Sequence, residues 1–301
     1  MIGFVVTARE EAPGVLRRTI DELRATTPSG SREIVVVDDG SSTPVAGLPA
    51  EVEVIRHEIP AGVSCARRAG CDRTIADVLV CLDAHMTFAP GWLDQMLTHV
   101  DSGALLCSAF WDYERTTCHC YGADYVWCGD RDHHAQRSPG FQLQHRTAFP
   151  GDGAPEIPMA IGACYMLRRA TYEVLGGFSP LFRVWGADEQ DLSARAWLAG
   201  FGVRCVTGAC VGHLWRPAFP YAVSFDDLEF NQLALVRTVF EESTVRAIDP
   251  FFHPLQPRVA EWIDSADISG WRSTVQAARR ASDAEFLGRF VPELASLTAC
   301  T

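Results

Sequence analysis

The sequence predicts an α/β protein: a mostly parallel central sheet flanked by helices, with a helical C-terminal extension. Short apolar, β-branched runs such as Ile34-Val35-Val36-Val37 and Val78-Leu79-Val80-Cys81-Leu82 alternate with amphipathic stretches through the first half. Runs of that kind read as strands buried on both faces, and helices between them imply parallel pairing with right-handed crossovers. At 301 residues, 48% of them hydrophobic and 21% charged, the chain can bury a substantial core.

Taken in order, residues 2–6 read as a strand and 12–25 as a helix that turns Val15, Leu16, Ile20 and Leu23 inward. The strand at 34–37 stops at Asp38-Asp39-Gly40-Ser41-Ser42, a loop with turn chemistry. A strand at 52–55 and a helix over 62–76 lead to the strand ending at Asp83, then a helix over 91–100 and a strand at 104–108. From 112 to 158 the pattern dissolves into a polar, Cys/His/Pro-rich loop region. It recovers as a strand over 158–167 with Gly162 inside, where close approach of a backbone or ligand is expected. A helix over 188–199 closed by Gly200 and a strand at 203–206 follow. The next helix, 226–242, begins with Ser224 and Asp227 as a capping box in which Asp stands in for Glu. Two more helices are expected around 271–281 and 283–290.

Net charge of −12 and a pI near 5.2 argue against nucleic acid or anionic lipid as the main partner. All 26 basic residues are arginine. The first residues lack a basic leader with a cleavable apolar core, and no apolar stretch has transmembrane length, so a cytoplasmic protein is expected. Eleven cysteines are many, yet Cys81, Cys107 and Cys205 fall within apolar strands, where free cysteine acts as a small hydrophobe. No disulfide framework is expected.

The chemistry concentrates in a few places. Side chains two apart on an extended chain share a side, so Asp83 and His85 of Asp83-Ala84-His85 can grip one divalent cation. Oxygen plus imidazole suits Mn²⁺ better than Ca²⁺; a simple turn would explain the triplet alone. In a parallel sheet the ligand crevice lies beyond the carboxyl ends of the strands. Thr7-Ala8-Arg9, Asp38-Asp39 and Asp83-Ala84-His85 should all meet there. Asp188, Glu189 and Asp191 could merely favour the positive end of a helix dipole, but Trp185-Gly186 before them is not ordinary capping chemistry, so Trp185, Asp188, Glu189 and Asp191 are the candidate catalytic residues. His213 is either a core histidine or a third ligand. Cys118, His119, Cys120, Cys128, His133 and His134 are zinc-type ligands in a loop-rich segment, although their spacing matches no known finger.

As an ordered set these motifs resemble GT-A fold glycosyltransferases, Rossmann-like and family 2-like. They come closest to the polypeptide N-acetylgalactosaminyltransferases, whose metal motif is Asp-X-His and to which Val211-Gly212-His213-Leu214-Trp215-Arg216 is also similar. The resemblance implies a catalytic domain over 1–242, with a nucleotide-binding half (1–110) and an acceptor and catalytic half (111–242), ahead of the extension at 243–301. It implies Thr7 and Arg9 on the floor of a nucleotide pocket, Arg67 beside it, and Asp39 against the uracil or ribose. Asp83, His85 and His213 would hold Mn²⁺ (or Mg²⁺). Trp185 and Gly186 would lie against the donor sugar, with Asp188 near its hydroxyls. Arg216 and Tyr221 would belong to a mobile segment that closes over the diphosphate.

The implied function is transfer of a hexose or N-acetylhexosamine from a UDP-sugar to a hydroxyl acceptor: a peptide, a glycan or a small molecule. Retention is favoured by the Asp-X-His and Val-Gly-His-Leu-Trp-Arg patterns. Two departures stand against a direct transfer of the family's properties. Ala187-Asp188-Glu189 replaces Gly-Glu-Asn, and an acidic pair there is also what inverting enzymes carry, one member acting as base. Nothing reads as a membrane anchor or lectin repeat. The competing readings are an inverting family 2 enzyme using Asp188 or Glu189, a sugar-nucleotidyltransferase, and a non-catalytic nucleotide-sugar or zinc-binding module. The acidic, glycine-poor loop after the first strand disfavours the nucleotidyltransferase.

Overall fold

The computed structural model describes residues 1–28, 30, 32–132 and 137–298. Its sheet is organised around β1 (Ile2–Ala8), whose Phe4, Val5 and Val6 are fully buried. β1 pairs in parallel with β2 (Arg32–Asp39) and with β4 (Val78–Asp83), and β2 pairs in parallel with β3 (Val52–His57). The register sets Thr7 opposite Val37 on one side and opposite Asp83 on the other, so the strand ends finish level. Helix α1 (Pro13–Thr26) reinforces that edge: the Thr19 hydroxyl accepts from the Met86 backbone at 2.9 Å and sits within donating distance of the carbonyls of Ala84 and Met86, at 2.9 and 3.0 Å, fixing the turn after β4. Helix α2 (Val63–Arg73) lies against β1 closely enough that a Cβ on Gly70 would sit 2.2 Å from Val5.

Beyond β4 the sheet is mixed. β10 (Cys164–Arg168) runs antiparallel between β4 and β6 (Leu105–Asp112), while β6 pairs in parallel with β11 (Val203–His213). β5 (Met86–Phe88) lies antiparallel to β11, and β7 (Cys118–Cys120) antiparallel to β6. The order is β3-β2-β1-β4-β10-β6-β11-β5, with β7 on β6.

Several boundaries differ from expectation for physical reasons. The apolar run at 158–167 joins the sheet only from Cys164, because its first half serves the crevice instead. The Gly162 carbonyl accepts from Arg67 at 2.7 Å, and Ala163 accepts from the Asp83 backbone at 3.2 Å. β11 continues far past 206 through a bulge between Val206 and Cys210, and so delivers His213 to the crevice. The region at 112–158 is not merely loop. It contains β7 and a hairpin of β8 (Ala123–Cys128) and β9 (Gly140–His145). Earlier in the chain, between β5 and β6, α3 (Trp92–Leu97) is shorter than the predicted 91–100.

Helix α4 (Arg169–Val174) follows β10, and α5 (Asp188–Leu198) starts at the predicted residue. α6 (Phe225–Val239) carries the predicted capping box in full, with the Ser224 hydroxyl accepting from the Asp227 backbone and the Asp227 carboxylate from that of Ser224. It ends before 242, and α7 (Glu242–Ile248) is separate. The remaining helices are α8 (Pro257–Ser265), α9 (Ile268–Ala277), α10 (Asp283–Phe290) and α11 (Pro292–Thr298). Trp271, Val275, Phe286 and Leu287 from this segment join the same buried core as the sheet. Among the described residues no helix is long and apolar enough to cross a membrane.

Candidate active site

The carboxyl ends of β1, β2 and β4, the end of β11 and the start of α5 enclose a cavity of about 540 Å³. At its centre Asp83, His85 and His213 bring one ligand atom each within 4.8 Å of one another, the one such cluster among the described residues. His213 Nε2 lies 3.4 Å from the Asp83 carboxylate, His85 Nε2 lies 4.0 Å from it, and the two imidazole rings are 4.8 Å apart. Both ring nitrogens of His213 are buried without a hydrogen-bond partner. A buried imidazole left so is costly unless something else satisfies it. A divalent cation would satisfy the nitrogen that carries the lone pair. Burial also pushes the His213 pKa down, which favours the neutral, ligating form. Burial works against ionisation of Asp83, but contacts with His213, Arg67 and His85 outweigh it and hold the carboxyl well below the usual range. The donor set therefore fits a first-row metal such as Mn²⁺.

Glu11 lies behind His85 and was not foreseen. Its carboxylate meets His85 Nδ1 at 3.0 Å and also pairs with Arg216. A proton held on Nδ1 leaves the Nε2 lone pair facing Asp83 and the cavity. The sequence offered one hint: Glu11 shares the β1 loop with Thr7 and Arg9.

Arg67 is buried, not part of a solvated face. It pairs with Asp83 at 3.0 Å and with Asp188, and donates to the Gly162 carbonyl. Burial opposes its charge, yet Asp188 and Asp83 overcome that and raise its pKa. The acidic trio at the start of α5 divides. Asp188 is buried against Arg67, with one oxygen unpartnered. Glu189 lines the cavity beside Gly162, and burial together with neighbouring Asp188 pushes its pKa up to about 8. Asp191 corrects the expectation of a catalytic role. It does not line the cavity; it pairs with buried Arg195 one turn on, whose guanidinium also holds the carbonyls of Leu175 and Gly177. Asp191 is a structural anchor.

The loop before α5 is held by Asn231, another residue the sequence did not mark. Its side-chain amide donates to the carbonyls of Arg183, Trp185 and Gly186 at 2.8, 3.1 and 3.1 Å, while its oxygen accepts from the Arg183 backbone. Gly186 has φ +98, which a side chain would strain. Trp185 faces the cavity and packs on Phe219, ring centroids 4.7 Å apart. Residues 214–221 cover the cavity: Trp215 edges onto His213, Arg216 turns to Glu11, and Tyr221 lies under the Arg9 guanidinium at 4.3 Å.

At the other end Thr7 and Arg9 line the floor, and one Arg9 terminal nitrogen is buried without a partner. Asp39 lines the cavity too, but its carboxylate is committed to the turn before α2. It accepts from the Ala61 and Gly62 backbones at 2.8 and 2.9 Å and meets His57 at 2.8 Å. Its observed task is to hold that turn, and any nucleotide contact would be shared with those donors.

The candidate zinc cluster does not form among its described members. β7 is extended, so Cys118 and Cys120 point to one side and His119 to the other. Burial pushes the Cys120 thiol up to about 12, His119 packs against Trp215, and Cys128 is turned to the Asp130 carbonyl. His133 and His134 lie outside the described residues.

Residues 4–176, more than half of the chain, match the family described as glycosyl transferase family 2. The chain belongs to glycosyltransferase family 2. Residues 154–214 match a second family, described as the N-terminal domain of galactosyltransferase. Polypeptide N-acetylgalactosaminyltransferase 8 of Drosophila melanogaster is 28% identical over 71% of this chain and 38% of its own length. The probable N-acetylgalactosaminyltransferase 6 of Caenorhabditis elegans is 26% identical over 88% and 45%. This glycosyltransferase thus spans less than half the length of these curated relatives. The crystal structure of GalNAc-T7 with UDP, GalNAc and Mn²⁺ superposes with a TM-score of 0.77 at 20% identity, over 98% of this chain and 57% of that one. S. aureus TarS 1–349 in complex with UDP-GlcNAc superposes at 0.55 and 12% identity, over 98% and 83%. The fold is GT-A, with the helical C-terminal segment added.

Proposed function

We propose that this glycosyltransferase moves a hexose or N-acetylhexosamine from a UDP-sugar to a hydroxyl acceptor and depends on a divalent cation, Mn²⁺ before Mg²⁺. One observation carries the reading: Asp83, His85 and His213 converge in the cavity, where neither His213 nitrogen makes a hydrogen bond and Nε2 has only a 3.4 Å ion-pair contact with Asp83. Two imidazoles beside one carboxylate favour Mn²⁺. When bound, such a cation supplies positive charge to the diphosphate leaving group. The printed names of the relatives and the UDP and Mn²⁺ held by GalNAc-T7 support the same reading.

The chain's own residues do the rest. Arg67 keeps Asp83 ionised, and Glu11 fixes the His85 tautomer. Arg9 offers an unpaired N–H on the nucleotide floor, and Arg216 brings a second cation over the site. Trp185 and Gly186 present a flat wall to the sugar. Residues 214–221 exclude water, so departure of UDP is followed by attack of the acceptor hydroxyl rather than hydrolysis.

Retention is supported by the Asp83-Ala84-His85 and Val211–Arg216 patterns. Glu189 favours a second reading, inversion. Its carboxyl faces the cavity with a pKa near 8, suited to taking the proton from an acceptor hydroxyl near neutral pH. The acceptor itself is a peptide, a glycan or a small molecule. Incubation of the full chain with UDP-Glc, UDP-Gal, UDP-GlcNAc and UDP-GalNAc and a panel of peptide, glycan and small-molecule hydroxyl acceptors, with and without Mn²⁺, tests the proposal. Mn²⁺-dependent UDP release is expected, and NMR of any glycosylated product assigns the anomer. Release that EDTA leaves unchanged would overturn the metal-dependent reading.

A further inference from the structure

Gln190, the third residue of α5, is 6% exposed and lines the cavity. Its side-chain nitrogen donates to the Phe141 carbonyl at 3.0 Å. That contact fixes which way the carboxamide points, because a carbonyl accepts only and would repel the amide oxygen. The Gln190 oxygen is therefore turned elsewhere, and it is buried without a partner. Neighbouring Gln232 makes the contrast. Its nitrogen donates to the same carbonyl at 2.9 Å, and its oxygen accepts from the Phe141 backbone at 2.9 Å. One carboxamide is spent on holding β9. The other has an acceptor to spare.

We propose that the Gln190 oxygen is a sugar-reading subsite, accepting a hydrogen bond from a hydroxyl or amide N–H of the donor's hexosyl ring. The inference rests on the UDP-sugar reading above. A lone acceptor in a cavity wall selects a ligand rich in O–H or N–H donors and rejects a phosphate, which offers none when ionised. Its position agrees. Gln190 shares the cavity lining with Trp185, Gly186 and Glu189, the wall assigned above to the sugar, while Thr7 and Arg9 line the same cavity.

The test is the ratio of affinities for UDP-sugar and UDP, measured by calorimetry on the full chain with Mn²⁺. The four UDP-hexoses named above are titrated, and the best binder is carried forward. Gln190→Met keeps the volume and removes the acceptor. It is expected to weaken that UDP-sugar about 5- to 20-fold, the range of one buried hydrogen bond, and to leave UDP within twofold. Using the ratio cancels any general loosening of the cavity. Gln190→Asn, which keeps the carboxamide but withdraws it by one methylene, is expected to shift the ratio the same way should the methionine variant not fold. Equal losses for UDP and UDP-sugar would assign Gln190 a purely structural task and overturn the proposal. Unchanged affinities for both would do the same, a buried water then satisfying the oxygen. A wild-type chain that binds no UDP with Mn²⁺ would overturn the UDP-sugar reading and this subsite together.

Discussion

Replacing Glu11 with Gln preserves shape beneath the metal-ligand cluster and removes one negative charge. The carboxylate serves two donors at once, His85 Nδ1 at 3.0 Å and the Arg216 guanidinium. A carboxamide has one oxygen for these two donors, so its NH₂ must face either the imidazole or the arginine. If it faces His85, the Nδ1–H tautomer loses its support and Nε2 carries the proton where a ligand lone pair is needed. Loss of such outer partners weakens metal binding by about 10- to 100-fold, equivalent to about 1.4–2.8 kcal/mol. The charge loss acts in the same direction: burial alone would raise the Glu11 pKa, but His85 and Arg216 hold it low, so the native site is built around the ionised form. Calorimetric titration of Mn²⁺ into wild type, Glu11→Gln and Arg216→Ala separates the two contacts. Glu11→Gln should lose Mn²⁺ affinity by the stated factor. Arg216→Ala should keep it within a few-fold while weakening UDP. Unchanged Mn²⁺ affinity in Glu11→Gln, alongside its loss in His213→Ala, would show that Glu11 does not orient His85.

Two further outcomes follow from the acidic trio on α5. Asp191→Ala strands the buried Arg195 charge and should destabilise the fold by about 3–5 kcal/mol in urea unfolding, with kcat per folded molecule within a few-fold of wild type; a large kcat loss at unchanged stability would restore a catalytic role. For Glu189 the folded pKa, near 8, lies above its ordinary 4.5, so the native state binds more protons than the unfolded chain between those pH values. Its burial therefore costs stability progressively as pH rises from about 5 to 8. Metal-free Glu189→Gln should match wild type in Tm at pH 4.5 and exceed it at pH 8, and a constant difference across that window would contradict the assignment.

The strands and the metal cluster were legible because both are local patterns. Val35, Val36 and Val37 announce a buried strand by composition, and the two-residue spacing of Asp83 and His85 sets their common side. His213 was readable only through its neighbours Trp215 and Arg216, since its strand was expected to stop at 206. The bulge near Thr207-Gly208 looks like a turn until pairing with β6 is seen. What stayed hidden depends on partners far away in sequence. Asp39 looked free until the turn at Ala61 and Gly62 claimed it, and Asp191 looked catalytic until Arg195 was seen to be buried against it. Glu11 meets residues 74 and 205 positions away. The β8–β9 hairpin carried a visible cue in Phe141-Gln142-Leu143-Gln144-His145, an alternation with period two, that the surrounding polar residues obscured.

Anomalous diffraction from crystals of the full chain grown with Mn²⁺ and UDP tests the central assignment most directly. A manganese peak bonded at once to the Asp83 carboxylate, to His85 Nε2 and to a His213 ring nitrogen, with diphosphate oxygens completing its shell, is the predicted result. A well-defined UDP in this cavity without manganese at those three residues, or manganese bound elsewhere in the chain, would contradict it.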